Sequence, residues 1–189
     1  MIKSIYVIGS LRNPEIPKIA AHLRLFGFDV FDDWHSAGPD ADDHWRDYEK
    51  ARGHNMAEAL AGHAAQHVFS FDRKHLQRCD ASLLIWPAGK SGHLELGYAA
   101  GLGKHCYVIT GGEPERFDVM LNFASGVFTS LDEFLVKAKI WQRVGCVYGD
   151  ADDATARNHC GNPRCVNPAH RFYGTPPLTT ESDHASAPV

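Results

Sequence analysis

Two carboxylates occupy helical positions where acidic side chains are unusual. Glu95 lies in the segment "SGHLELGYAAGLGK", whose other residues are mostly small or apolar. On a helical wheel of about 100° per residue, Glu95 falls between Leu102 and Ala99, where no polar face exists. Such a group either supports the first helical turn through the macrodipole, or is held dry beside a ligand as a nucleophile or acid/base.

Asp72 shows the same anomaly in the segment "VFSFDRKHLQRC". It shares a helical stripe with Val68, Leu76 and Cys79, and a carboxylate among apolar residues needs a partner or a function. It either bonds a nearby amide or arginine, or takes part in chemistry. Two such carboxylates in one small domain favour chemistry more than one alone does.

Soft metal ligands cluster near the end of the chain. The segment "CGNPRCVNPAH" places Cys160, Cys165 and His170 in a C-x4-C-x4-H pattern, with Cys146 upstream. Short spacings of this kind in a segment poor in apolar residues predict a tetrahedral Cys3His structural zinc site. The alternative is a tail with incidental cysteines.

The elements that must position these groups alternate between strands and helices. Buried strand patterns occur at "IKSIYVIGS", "FDVFDDW", "DASLLIWP" and "HCYVIT". Helices are predicted over Pro14–Phe26, His44–Gly53, Asn55–Cys79 as one long helix, the Glu95 segment, and Ser130–Trp141. The pattern predicts an α/β fold with a mostly parallel, flavodoxin- or Rossmann-like sheet flanked by helices. Ser91 and Ser130 are the predicted N-caps.

The predicted organisation is an α/β domain over residues 1–140, a zinc knuckle over 141–176 and a polar tail over 177–189. In such a domain ligands bind beyond the carboxyl ends of the strands. Trp34 could stack on a base and Asp32 or Asp33 could bond sugar hydroxyls, or all of them are ordinary loop residues. The predicted substrate contacts at these ends are Gly9, Ser10, Asp33, Trp34, Gly89, Ser91, Gly92 and His93.

Composition narrows the class of protein. The 189 residues carry a net charge of −4, which argues against a large non-specific nucleic-acid footprint. No apolar run approaches the roughly 18–20 residues of a membrane span, and the first residues enter a strand pattern rather than a signal peptide. We therefore expect a cytoplasmic protein without a membrane association.

The order of these motifs resembles the nucleoside 2-deoxyribosyltransferase family and its nucleotide N-glycosidase relatives. The resemblance covers about residues 3–135: "IYVIGS", the Asp72 helix, "CDASLLIWPAGKSGHLELGYAAGLGK" and "HCYVI". Its most specific part is the ELGYA…GK pattern with a strand on each side.

The resemblance implies an enzyme that breaks or transfers an N-glycosidic bond without a catalytic cofactor. Glu95 would attack the anomeric carbon and form a covalent sugar ester, as in retaining glycoside hydrolysis. Asp72 would assist proton transfer, Tyr6 would lie near the nucleophile, and Asn122 would reach the substrate, often across a subunit interface. A homo-oligomer is therefore expected.

One departure from the family concerns the loop before the Glu95 helix. Some deoxyribosyltransferases carry an acidic residue there, whereas this chain has Lys90 and Ser91. A lysine, a serine and the amides of a helix start suit an anion, so a nucleoside monophosphate is a candidate substrate. The alternative is a solvated loop lysine.

The end of the chain resembles the zinc-binding end of HNH endonucleases through "CGNPRCVNPAH", the following Gly-Thr, and Glu181. Asn158 stands where those enzymes have their general-base histidine, and Ser182 replaces a later asparagine. We interpret the segment as a zinc knuckle without nuclease activity; nucleic-acid contact through it is not favoured. A metal-dependent nuclease and a non-catalytic nucleotide sensor are the competing hypotheses.

Overall fold

The computed structural model describes residues 2–137, which lie within a compact unit spanning Met1–Arg143. Five strands form one parallel sheet in the order β2-β1-β3-β4-β5. The predicted flavodoxin-like α/β class is confirmed, since this strand order is the flavodoxin order. The strands are β1 Ser4–Ile8, β2 Asp29–Phe31, β3 Ala81–Ile85, β4 His105–Ile109 and β5 Gly126–Phe128.

Residues 2–137 also contain six helices. They are α1 Glu15–Leu25, α2 Ala41–Ala51, α3 Met56–Ala61, α4 His63–Arg78, α5 Lys90–Gly101 and α6 Leu131–Lys137. Short 3-10 helices cover Asp33–Ala37 and Val119–Phe123. No helix of residues 2–137 is long and apolar enough to cross a membrane.

The central strands are buried on both faces, which explains their continuous apolar sequences. On one face, Tyr6 of β1, Leu84 of β3 and Val108 of β4 pack with Leu76 of α4 and Leu96 of α5. On the other face, Phe134 of α6 contacts Tyr107 of β4, with ring centroids 5.1 Å apart. Helices α4 and α5 therefore lie side by side over β1, β3 and β4.

The prediction of one long helix over Asn55–Cys79 is wrong. The chain forms α3 and α4, separated by Gly62, whose backbone is extended at φ −66° and ψ 152°. Glycine has little helical preference, and Asn55 fixes the start of α3 through a capping box with Glu58. The apolar periodicity of the segment continues across this break, so it indicates a single helix.

Two helix starts test the predicted caps. Ser130 is confirmed, because its Oγ accepts a hydrogen bond from the Glu133 amide at 3.1 Å. Ser91 as a cap is wrong, because α5 already begins at Lys90, follows Gly89 and has no side-chain cap. The end of the predicted last helix and the boundaries near residues 140 and 176 lie outside the described residues.

Strand β5 was not predicted. It has three residues and shows no alternation that would distinguish it from a loop. It is held by pairing with β4, where Val127 lies beside Val108. Tertiary pairing, rather than local sequence, therefore determines this edge of the sheet.

Candidate active site

The sheet has one topological switch point, between β1 and β3. The connection after β1 leads to β2 on one side, whereas the connection after β3 leads to β4 on the other, which opens a crevice at their carboxyl ends. Asn13, following β1, donates its side-chain amide to the Trp86 carbonyl at 3.5 Å and links the two strand ends. Helix α5 begins beside this crevice.

Two glycines set how closely helices approach the strand ends. A Cβ on Gly92 would lie 3.1 Å from the Ile8 side chain and 3.2 Å from that of Leu84, so glycine lets the start of α5 approach the sheet. A Cβ on Gly9 would lie 2.3 Å from the Ile16 side chain. Gly9 is therefore required by the packing of α1, which is a structural reason independent of any ligand.

The structure brings Tyr6, Asp72 and Glu95 together on one face of the sheet. Tyr6 stands on β1 and is buried at 1% exposure. Asp72 on α4 and Glu95 on α5 are both half-buried, and both act electrostatically on Tyr6. The three groups that the sequence assigned to chemistry thus form one cluster between α4, α5 and β1.

Burial and mutual repulsion shift the proton affinities of this cluster. Burial, with a further contribution from the negative charge of Asp72, raises the pKa of Glu95 from 4.5 to about 7. Burial likewise raises the pKa of Asp72. Burial and the two nearby carboxylates hold the pKa of Tyr6 far above its ordinary value, so its hydroxyl stays neutral.

Within residues 2–137, no ion pair joins Glu95 or Asp72 to a cation. Glu95, which is unneutralised in a partly dry site beside the Asp72 charge, therefore keeps its proton up to near neutral pH. This arrangement can supply a nucleophile and an acid/base from two groups of the same type. A neutral phenol beside them can donate a hydrogen bond.

Trp34 and Asp33 differ in their surroundings. The Trp34 indole N–H donates to the Val7 carbonyl at 2.8 Å, and its ring packs on the core cluster that contains Tyr6. The Asp33 side chain is exposed at the start of its 3-10 helix. Trp34 therefore lies near the carboxylate cluster in a fixed orientation, whereas Asp33 lies at the surface.

The start of α5 exposes polar groups at the crevice. Ser91 and Gly89 are exposed, and a ring nitrogen of His93 lies 2.9 Å from the Gly89 carbonyl. Asn122 is exposed on the 3-10 helix Val119–Phe123, whose Leu121 packs against the same core cluster. Lys90 is also exposed, but it is the first residue of α5 and not part of the preceding loop.

A cavity of about 510 Å³ lies at the carboxyl ends of β3 and β4. It is lined by Trp86 and the loop from Thr110 to Asp118, which includes Arg116 and two glycines at positive φ. Trp86 also packs on the cluster containing Tyr6 and Leu96, so it connects the cavity with the carboxylate site. Trp86 and Arg116 are not among the predicted site residues; the Gly-Gly turn after β4 was the available signal.

The predicted zinc ligands Cys146, Cys160, Cys165 and His170 lie outside the described residues. Among residues 2–137, no group of three or more His, Cys, Asp or Glu side chains could hold a metal ion. Cys79 and Cys106 are buried free thiols in the core.

Fold and site together define a flavodoxin-like α/β domain with a half-buried carboxylate pair beside its switch point. No family model matches the chain, and no curated protein matches it. Among solved structures, the chain is similar to the CMP N-glycosidase BcmB of Clostridium botulinum, with 15% identity and a TM-score of 0.43. That similarity covers 72% of this chain and 99% of the other.

Proposed function

We propose that this protein cleaves or transfers the N-glycosidic bond of a 2′-deoxynucleoside or a nucleoside monophosphate through a covalent ester on Glu95. The observation that carries the proposal is the position of Glu95, half-buried on α5 without a cationic partner and electrostatically coupled to Asp72. A desolvated carboxylate on a rigid helix is a suitable nucleophile. The motif resemblance at the same residues supports the assignment.

The reaction proceeds in two displacements. A Glu95 carboxylate oxygen bonds to C1′ while the C1′–N bond breaks. The electron pair of the C1′–N bond leaves with the base. The leaving nitrogen takes its proton from solvent water that the Asp72 carboxylate orients. Asp72 as carboxylate then accepts a proton from water, or from an acceptor base, which attacks C1′ and frees Glu95.

Ionisation of Glu95 is the step that pH controls. With its pKa near 7, Glu95 is partly protonated at neutral pH, and that proton must leave before attack on C1′. The neutral Tyr6 hydroxyl would orient the carboxylate or the sugar by donating a hydrogen bond. Transfer and hydrolysis use the same first step and differ only in the acceptor.

The other residues complete the proposed site. Trp34 provides an aromatic surface for the base, and Ser10, Ser91 and the amides that start α5 bind the sugar or a 5′-phosphate. Asn122 contacts substrate in a neighbouring subunit of a homo-oligomer. Cys146, Cys160, Cys165 and His170 hold a structural zinc ion, separate from catalysis.

The test is base release from a panel of deoxynucleosides and their monophosphates, with and without an acceptor base, followed by chromatography. We expect release or exchange with wild type and its loss in Glu95→Ala. Glu15→Ala, which changes an exposed carboxylate on α1, is the matched control and should keep full activity. The proposal fails if no donor releases base, or if Glu95→Ala is as active as wild type.

A further inference from the structure

Helices α4 and α5, which carry the two carboxylates, are joined by a polar cluster near their carboxyl ends. The Gln77 side-chain amide donates to the Tyr98 hydroxyl at 2.6 Å. Lys104, in the turn after α5, donates from Nζ to the Gln77 carbonyl at 2.7 Å and to the Cys79 carbonyl. We call the side chains of Gln77, Tyr98 and Lys104 the interhelix clamp.

The interhelix clamp lies close to the carboxylates along both helices. Each helix leads into the next parallel strand, so α4 and α5 run in the same direction. Asp72 precedes Gln77 by five residues and Glu95 precedes Tyr98 by three, which correspond to about 7.5 Å and 4.5 Å of axial rise. A change at the clamp therefore acts on the carboxylates within one to two helical turns.

The strongest member of the clamp is Lys104. The last carbonyls of a helix lack intrahelical partners and carry the negative end of its dipole, so an ammonium group there is favourable. Lys104 is half-buried, and its bond to the Cys79 carbonyl is partly buried. The Gln77–Tyr98 bond is exposed and contributes less.

The clamp opposes a force that the carboxylates themselves create. Asp72 and Glu95 repel each other when both are ionised, and within residues 2–137 no ion pair neutralises either group. Repulsion would move α4 and α5 apart and admit water. Hydrogen bonds between the helices, one to two turns away, resist this movement.

We propose that Gln77, Tyr98 and Lys104 are positioning residues that hold α5 against α4 and thereby keep Glu95 beside Asp72. None of them is placed at the reacting atoms, so they act through the two carboxylates. The expected effect of these three residues on turnover rests on the proposed function. Their effect on the titration of Glu95 is independent of any substrate.

The experiment measures that titration directly. The titratable groups that face Glu95 are Asp72 on α4 and Tyr6 on β1. In protein labelled with carboxyl ¹³C-glutamate, the Glu95 resonance, assigned with Glu95→Gln, is followed from pH 4 to 9 in Lys104→Met and Tyr98→Phe. We expect the midpoint to fall by about half a pH unit or more in Lys104→Met, because separation and hydration favour the ionised form.

Controls separate positioning from general destabilisation. Lys74→Met removes an exposed lysine on the same helix α4 and should leave the Glu95 midpoint unchanged. Lys104→Arg keeps a cationic donor and should restore most of the wild-type midpoint. Tyr98→Phe removes one exposed hydroxyl, so it keeps the fold and should give a smaller shift in the same direction.

Turnover supplies the second readout. If the proposed function holds, Lys104→Met should lower kcat about tenfold or more with little change in KM, because misplacement of a reacting group affects the chemical step. A shifted midpoint without any N-glycosidase activity would overturn the proposed function and leave the positioning role intact. An unchanged Glu95 midpoint in folded Lys104→Met and in the Tyr98→Phe variant would overturn the positioning role.

Discussion

Replacing Glu95 by glutamine removes a charge from a half-buried position while it keeps the shape of the side chain. In the folded protein the pKa of Glu95 is about 7, against 4.5 for an unperturbed glutamate. A difference of about 2.5 units, at about 1.4 kcal/mol per unit, corresponds to roughly 3 kcal/mol. That is the free energy by which ionisation of this group would destabilise the fold.

The sign of the pH dependence follows from the raised pKa. Between pH 4.5 and 7 the unfolded chain has released the Glu95 proton while the folded chain still holds it, so stability falls as pH rises. Below pH 4.5 both states are protonated and the contribution is fully retained. Above about pH 7 both are ionised and the loss is complete.

Urea unfolding of wild type and Glu95→Gln at pH 4.5, 6 and 8 measures this contribution. We expect the free energy of unfolding of Glu95→Gln, relative to that of wild type, to increase by roughly 3 kcal/mol between pH 4.5 and pH 8. Glu15→Gln, at an exposed site paired with Lys18, should change by less than about 0.5 kcal/mol at each pH. A pH-independent difference for Glu95→Gln would refute the desolvated-carboxylate interpretation.

Three further outcomes are expected. The kcat/KM for base release should rise with pH through about 7, since Glu95 must ionise before it attacks; a profile flat from pH 5 to 8 would contradict this order of steps. Asp72→Asn should move that midpoint to lower pH, because it removes a like charge, and should slow release of unactivated bases by about 10²–10⁴-fold; an upward movement would contradict the electrostatic account. Gly92→Ala should lower the free energy of unfolding by about 1 kcal/mol in chemical denaturation, because crowding of its Cβ against Ile8 and Leu84, at about 1–3 kcal/mol, outweighs the gain in helix propensity of up to about 1 kcal/mol; a more stable variant would show that these side chains give way.

Much of the fold could be predicted because buried parallel strands carry apolar runs that stand out against their loops. The strands β1, β3 and β4 are of this kind. Two features could not be predicted from local sequence. Strand β5 forms by pairing with β4. The helix breaks at Gly62 although the apolar periodicity of the sequence continues across that residue. Local sequence contains neither the partner strand nor the extended backbone of that glycine.

The candidate site divides in the same way. Glu95 and Asp72 could be found because each violates the amphipathic pattern of its own helix, which is a local signal. Their proximity does not follow from local pattern, since it depends on α4 and α5 packing on the same face of the sheet; only the family resemblance implied it. Trp86 and the loop after β4 form a cavity through strand order, and the Gly-Gly turn was the one local signal of that loop.

The anomaly of Glu95 and the interhelix clamp are two consequences of one constraint. In the proposed mechanism Glu95 must be ionised to react, yet its ionisation costs the fold roughly 3 kcal/mol, a large share of the stability of a small domain. The close approach at Gly92 and the hydrogen bonds of Lys104 both hold α5 in the packed position that keeps Glu95 half-buried. A helix placed only for stability would relax away from this position. The combination of an unneutralised acid with bonds that prevent its relaxation therefore favours chemistry over a purely structural role for Glu95.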